Sequence, residues 1–174
     1  MVVDRSLYVV AVVSNPSRWK SRYQLFKEFV DRMLSTPGVT LVVVEQAFGD
    51  RPFLMTDRDN RNHVQVRAGA ESEVWVKESL INIGVKHLFG QHPEAKYFAW
   101  IDADVGFAHP YWAQETVELL QHYKVIQPWS HSVDLNANHQ PTISAESFCY
   151  SYWNTKADEA VAAASGINST TTIS

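Results

Sequence analysis

Phe98–Phe107, FAWIDADVGF, is the stretch on which the reading of this chain turns. Together with Lys96 and Tyr97 it starts as an apolar, β-favouring run and passes directly into two carboxylates, Asp102 and Asp104. An extended chain points residues two apart to the same side, so the sequence predicts a buried strand presenting both carboxylates together at its carboxyl end. Open α/β sheets bind their ligands at that end. Carboxylates in such a place repel each other and lose hydration unless a cation or hydrogen-bond donors compensate them. The pattern points to one divalent cation, or a cation with a phosphate-bearing ligand. A second Asp-x-Asp, Asp57-Arg58-Asp59, follows FLMT among Arg and Asn without a long apolar strand to hold it, and reads as a solvated turn.

The flanking segments give the strand its setting. LYVVAVV (7–13) is a buried strand stopped by Ser-Asn-Pro-Ser, and WKSRYQLFKEFVDRML (19–34) carries Trp19, Tyr23, Phe26, Val30 and Met33 at helical spacing up to Pro37-Gly38. VTLVVVEQAFG (39–49) is a second uniformly apolar strand, of the kind buried on both faces of a parallel sheet. Residues 50–62 read as a polar loop and HVQVRAG (63–69) as a half-buried or edge strand. ESEVWVKESLINIGVKHLFG (71–90) predicts a helix with Val74, Ile81, Val85 and Leu88 on one side and Gly90 as its stop. Beyond Asp104, a helix is expected from Pro110 (PYWAQETVELLQHY) and a fourth strand in KVIQPWS (124–130). Residues 134–142 look turn-like, SFCYSYW (147–153) strand-like, and ADEAVAAASG (157–166) helical with Gly166 at its end. The tail INSTTTIS has no evident place in a core. This alternation predicts an α/β fold with a mainly parallel sheet flanked by helices, in one domain spanning 1–174.

Composition narrows the function. At 174 residues and 45% hydrophobic, the chain can bury a core without disulfides or a structural metal, and its single Cys149 excludes a disulfide framework or a Cys-based zinc cluster. A net charge of −4 argues against a nucleic-acid or membrane-surface binder, both of which need a positive field. No run approaches the ~20 apolar residues of a membrane span. The absence of a leader-like N-terminus and of paired cysteines favours a cytoplasmic setting. The aromatic content, 12% with six Trp, suits sugar or base stacking as well as core filling. None of the seven histidines forms a pair at zinc-ligand spacing.

Strand, helix, strand, helix and then an apolar strand ending in Asp-x-Asp resembles the nucleotide-sugar-binding half of GT-A-type glycosyltransferases. WVKESLINIG (75–84) also resembles the helix preceding that strand in β-1,4-galactosyltransferase-like members. The resemblance implies a Rossmann-like GT-A fold, minimal or C-terminally truncated, with 1–129 as the nucleotide-sugar-binding part and 130–174 as a partial acceptor-side part. It implies Mn²⁺ or Mg²⁺ as cofactor, a sugar-nucleotide donor, UDP-sugar foremost, and a carbohydrate or other hydroxyl acceptor. Asp104 would ligate the metal directly, and Asp102 would contact the ribose or a metal-bound water. Ser14, Asn15 and Glu45 would lie around the base and ribose; Glu45 reads equally as a strand-end carboxylate in water. Arg67 and Lys77 would bring positive charge toward the diphosphate or base, or serve as ordinary surface cations. Asn82 is a candidate buried polar group steadying the Asp-x-Asp strand, and Trp75 a packing residue. The base that would deprotonate an acceptor is unassigned, with His131, Asp134 and Glu146 as weak candidates.

Two other readings stand. A haloacid-dehalogenase-type phosphatase also ends an apolar strand in Asp-x-Asp and would use Asp102 as nucleophile, but Gly106 departs from its usual Thr or Val and no later acidic pair completes its Mg²⁺ site. A non-catalytic nucleotide-sugar-binding domain, or an incomplete enzyme, needs only the donor half.

Overall fold

Eight consecutive residues, Leu7–Ser14, form β1 and every one of them is buried. That is possible only for a central strand covered on both faces, and a computed structural model of the chain supplies both covers. It describes residues 5–71, 74 and 76–159 with their side chains and the backbone of 160–165; Trp75, Gly166 and the tail 167–174 lie outside the described residues. β2 (Val39–Phe48), β3 (His63–Ala68) and β4 (Tyr97–Trp100) complete a four-stranded sheet of order β3-β2-β1-β4, parallel throughout. The chain adds β2 and β3 on one side of β1 and then returns to place β4 on the other. The sheet thus has a switch point between β1 and β4.

Alternation along β1 sorts the helices. Leu7, Val9, Ala11 and Val13 pack with Phe26, Phe29 and Met33 of α1 (Lys20–Ser35) and with Trp112, Ala113 and Val117 of α3 (Trp112–Leu120). Tyr8, Val10 and Val12 face the opposite way, where Leu88 and Leu80 of α2 (Lys77–Gln91) join their clusters. The buried stripe of α2 is Leu80, Gly84 and Leu88. Val74, expected on that stripe, is exposed, and so is Asn82. Gly84 sets the phase: a Cβ there would lie 2.6 Å from Val10 Cγ1 and 2.8 Å from Val44 Cγ2, so only glycine lets the helix approach the sheet this closely.

The chain groups into two compact units, Met1–Lys124 and Val125–Ser174. In the second, the structure departs from the sequence expectations. KVIQPWS forms no strand: Pro128 cannot donate to a ladder, and Val125 is exposed. Residues 134–142 are not simply a turn. They belong to a hairpin of β5 (His131–Leu135) and β6 (Pro141–Glu146), closed by Asn136, whose Oδ1 accepts from Asn138 and Gln140 N–H. SFCYSYW is helical and runs on into the alanine-rich segment as α4 (Phe148–Ser165). Ser147 is the reason, because its Oγ accepts the Tyr150 N–H at 3.2 Å, an N-cap that overrides the β preference of the aromatics. α2 also runs through Gly90, and α3 starts at Trp112 rather than at Pro110.

Gly84→Ala should therefore lower stability by about 1–3 kcal/mol in urea unfolding, the usual cost of overpacking. Gly90→Ala in the same helix meets open space and should leave stability unchanged or raise it by up to about 1 kcal/mol.

Candidate functional site

The carboxyl edge of the sheet gathers the ends of all four strands and the starts of α1 and α2. β4 is shorter than its sequence suggests and ends at Trp100, although the Ile101 N–H still donates to the Val10 carbonyl at 3.1 Å. Asp102 and Asp104 then lie in a turn closed by Val105 N–H on the Asp102 carbonyl, 3.1 Å, rather than on extended chain. Both side chains are exposed. Asp102 Oδ1 is ion-paired with Lys77 Nζ, on the first residue of α2, with the two side chains 53% and 31% exposed. Asp104 has no hydrogen-bond or ion-pair partner among the described residues. Nor do those residues hold a group of three or more His, Cys, Asp or Glu able to enclose a metal by themselves.

β1 delivers Ser14 and Asn15 to the same edge, both buried. Asn15 closes the loop after β1: its Oδ1 accepts the Trp19 N–H at 3.0 Å and its Nδ2 donates to the Trp19 carbonyl at 2.9 Å. Among the described residues Ser14 Oγ has no partner, and neither does Gln46 Oε1, on the residue registered beside Ser14 in β2. An unmet hydroxyl and an unmet amide oxygen, adjacent and more than nine-tenths buried, are an unusual pair in a folded protein.

Glu45 is committed to the fold. Its Oε1 accepts from Leu54 N–H at 2.7 Å, and its Oε2 from Met55 N–H, Thr56 N–H and Thr56 Oγ1–H at 3.0, 2.8 and 2.7 Å. The carboxylate anchors the loop after β2 instead of standing in water. Arg67 is also engaged, donating to the carbonyls of Gly49 and Arg51 with its guanidinium over the Phe53 ring. Arg51 donates to the Pro16 carbonyl and Arg22 to that of Ser14, each at 2.9 Å.

Between these tied loops lies an open cleft of about 590 Å³, with Tyr23, Phe48 and Leu54 among its apolar lining and Arg18, Asp50 and Arg51 as its charged residues. Arg18 sits at φ 56°, in the left-handed region uncommon for a side-chain-bearing residue, and its guanidinium has no partner among the described residues. Asp50 is likewise unpaired among them. Sequence patterning does not reveal this cleft. The nearest signal is Gly49-Asp50 directly after β2, a strand end followed by an acidic residue. The base candidates His131, Asp134 and Glu146 belong to the hairpin of the second unit, where His131 Nε2 lies 3.9 Å from Glu146 Oε1.

The second Asp-x-Asp is a self-contained turn. Asp57 Oδ1 accepts from Asp59 N–H at 2.9 Å, and the Asp57 N–H donates to His63 Nδ1 at 2.8 Å.

Compared with known proteins, the chain matches no family model, and neither a curated protein nor a solved structure is significantly similar to it. No helix of the described residues is long and apolar enough to cross a membrane.

Two outcomes follow from these contacts. Glu45→Gln sets an amide NH₂ against N–H donors and should cost about 1–3 kcal/mol in urea unfolding, with faster proteolysis at 50–62. His63 has its pKa held below the ordinary value, first by burial, so the neutral ring is the one the fold favours. Protonation removes the acceptor for Asp57 N–H. The stabilisation should be complete above the unfolded value, about pH 6.5, and lost as pH falls through the lower folded value. A thermal melt series from pH 7.5 to 5 should show that loss, and His63→Gln, which accepts without titrating, should flatten it.

Proposed function

We propose that the chain is a metal-dependent glycosyltransferase of the GT-A kind, binding a nucleoside-diphosphate sugar, a UDP-sugar foremost, along the carboxyl edge of its sheet and passing the sugar to an acceptor hydroxyl. The observation that carries the reading is the position of Asp102 and Asp104: two exposed carboxylates in one turn, immediately beyond β4 and beside β1, where the strand order reverses.

The donor set suits Mn²⁺ or Mg²⁺. Both are hard cations that take one or two carboxylates and fill their remaining positions with water and substrate phosphate, and this turn offers two carboxylates. Asp104, free of other partners among the described residues, is the stronger ligand, with Asp102 in the same turn. A divalent cation held there neutralises the charge that develops on the diphosphate as the glycosidic bond breaks.

The same edge offers room for the rest of a donor. β1 separates β4 from β2, so the Asp turn and the cleft beyond β2 stand roughly two strand spacings apart, about 10 Å. A nucleoside joined to a diphosphate spans such a gap. In the cleft, Tyr23 offers a half-exposed face for a base, and Asp50 accepts from base N–H or ribose hydroxyls.

Titration calorimetry with UDP, UDP-sugars, GDP-sugars and CMP-sugars, with and without Mn²⁺, tests the reading. UDP-sugar binding that requires Mn²⁺, falls at least tenfold in Asp104→Ala and is unchanged in Asp57→Ala is expected; a loss of about 1.4 kcal/mol corresponds to that factor. Binding without transfer to any acceptor assigns a non-catalytic sugar-nucleotide domain instead. A phosphoryl group trapped on Asp102 assigns a phosphatase.

A further inference from the structure

Three arginines from β3, α1 and the loop after β2 donate to main-chain carbonyls: Arg67 to Gly49 and Arg51, Arg51 to Pro16, and Arg22 to Ser14. These cations hold loops in shape, and moving one would unpin backbone. Lys77 differs. Its partner is Asp102, one of the two carboxylates in the turn beyond β4. Lys77 therefore has a partner it can exchange without disturbing a loop, and the pair is exposed enough that breaking it costs little.

We propose that Lys77 is an exchangeable counter-ion of the cation site. It holds Asp102 while the site is empty and transfers to the diphosphate when a nucleotide binds, so that divalent cation and nucleoside diphosphate bind with positive cooperativity. The proposal rests on the reading of Asp102 and Asp104 as cation ligands.

Charge dictates the sign. With Lys77 on Asp102, the three side chains present a net charge of −1 to an incoming cation; with Lys77 withdrawn, they present −2. An ammonium a few ångströms from a divalent ion repels it, and it also occupies Oδ1, one of only four carboxylate oxygens in the turn. A diphosphate supplies the alternative anion. Lys77 sits on the first residue of α2, and its four-carbon stem lets the ammonium turn from one oxygen to another without moving the helix. Each ligand thus removes an obstacle to the other, and by linkage the factor by which UDP tightens Mn²⁺ equals the factor by which Mn²⁺ tightens UDP.

Mn²⁺ binding, followed by the electron paramagnetic resonance of the free ion, tests this with wild type, Lys77→Gln and Lys77→Arg, each with and without UDP. Wild type should bind Mn²⁺ weakly alone and more tightly with UDP. Lys77→Gln should bind Mn²⁺ alone on the order of tenfold more tightly than wild type, and the enhancement by UDP should shrink by a similar factor. Lys77→Arg should resemble wild type. Lys77→Met, which keeps the stem without charge, should repeat the Gln result, and circular dichroism of each variant checks that it folds. If Lys77→Gln and Lys77→Met bind Mn²⁺ alone no more tightly than wild type, or keep the full UDP enhancement, the exchange is wrong while the cation site stands. If wild type binds no Mn²⁺ even with UDP, the cation site itself is wrong and the exchange falls with it.

Discussion

β1 has a parallel neighbour on each side and helices on both faces, so none of its eight residues meets solvent. A strand held in this way cannot slip: a shift of one residue would turn Val9 and Ala11 toward α2, and Val10 and Val12 toward α1 and α3. α2 reinforces the register through Gly84, which fits only over Val10 and Val44. The placement of Ser14 at the end of β1, and of the Asp turn just beyond β4, both follow from this constraint. The site elements in the first unit are attached to the part of the sheet with the least freedom to move.

The loops above the sheet are fixed by a different means. Burying Glu45 beneath the Leu54–Thr56 segment would be costly if its oxygens were unmet, but four donors meet them. The same four contacts shape the floor of the loop. Arg51 and Arg67 complete the arrangement by donating to carbonyls that regular structure leaves open. The charges most visible in sequence at this edge are therefore largely structural. The groups left unengaged among the described residues, Asp104, Arg18 and Asp50, are the ones with capacity for a ligand.

The parallel sheet and its helices were legible because uniformly apolar runs such as Val9–Val13 and Leu41–Val44 have few places to go except a strand covered on both faces. The edge character of His63–Ala68 was legible in its alternation. What could not be read was decided by single local bonds or by the partner surface. A cap at Ser147 turned an aromatic segment into a helix, and close packing at Gly84 centred the buried face of α2 on Leu80, Gly84 and Leu88, with Ile81 and Val85 packed beside it and Val74 left before the helix begins. In the candidate site, the two aspartates stood out through their context. The commitments of Glu45 and Arg67 did not, because hydrogen bonds to main chain nine to eighteen residues away leave no pattern in the sequence. The cleft at Arg18 and Asp50 was hidden for the same reason, since its walls come from four separate segments.

The two Asp-x-Asp motifs show why context outweighs the tripeptide. In Asp57-Arg58-Asp59, the first carboxylate closes its own turn by accepting from Asp59 N–H, and the loop is held further by His63. That side chain is part of the local fold. In Asp102-Ala103-Asp104, main chain closes the turn, through Val105 N–H and the Asp102 carbonyl, and neither carboxylate takes part. The difference traces to what precedes each motif. β4 is paired to β1 up to Ile101, so the chain arrives at Asp102 with its direction already set and needs no side chain to bend it. Asp57 follows a segment held by side chains, Glu45 and Gln65, rather than by a strand ladder, and makes its own turn. A carboxylate is available to a ligand when the backbone does not need it, and a strand locked into a sheet is what relieves it of that need.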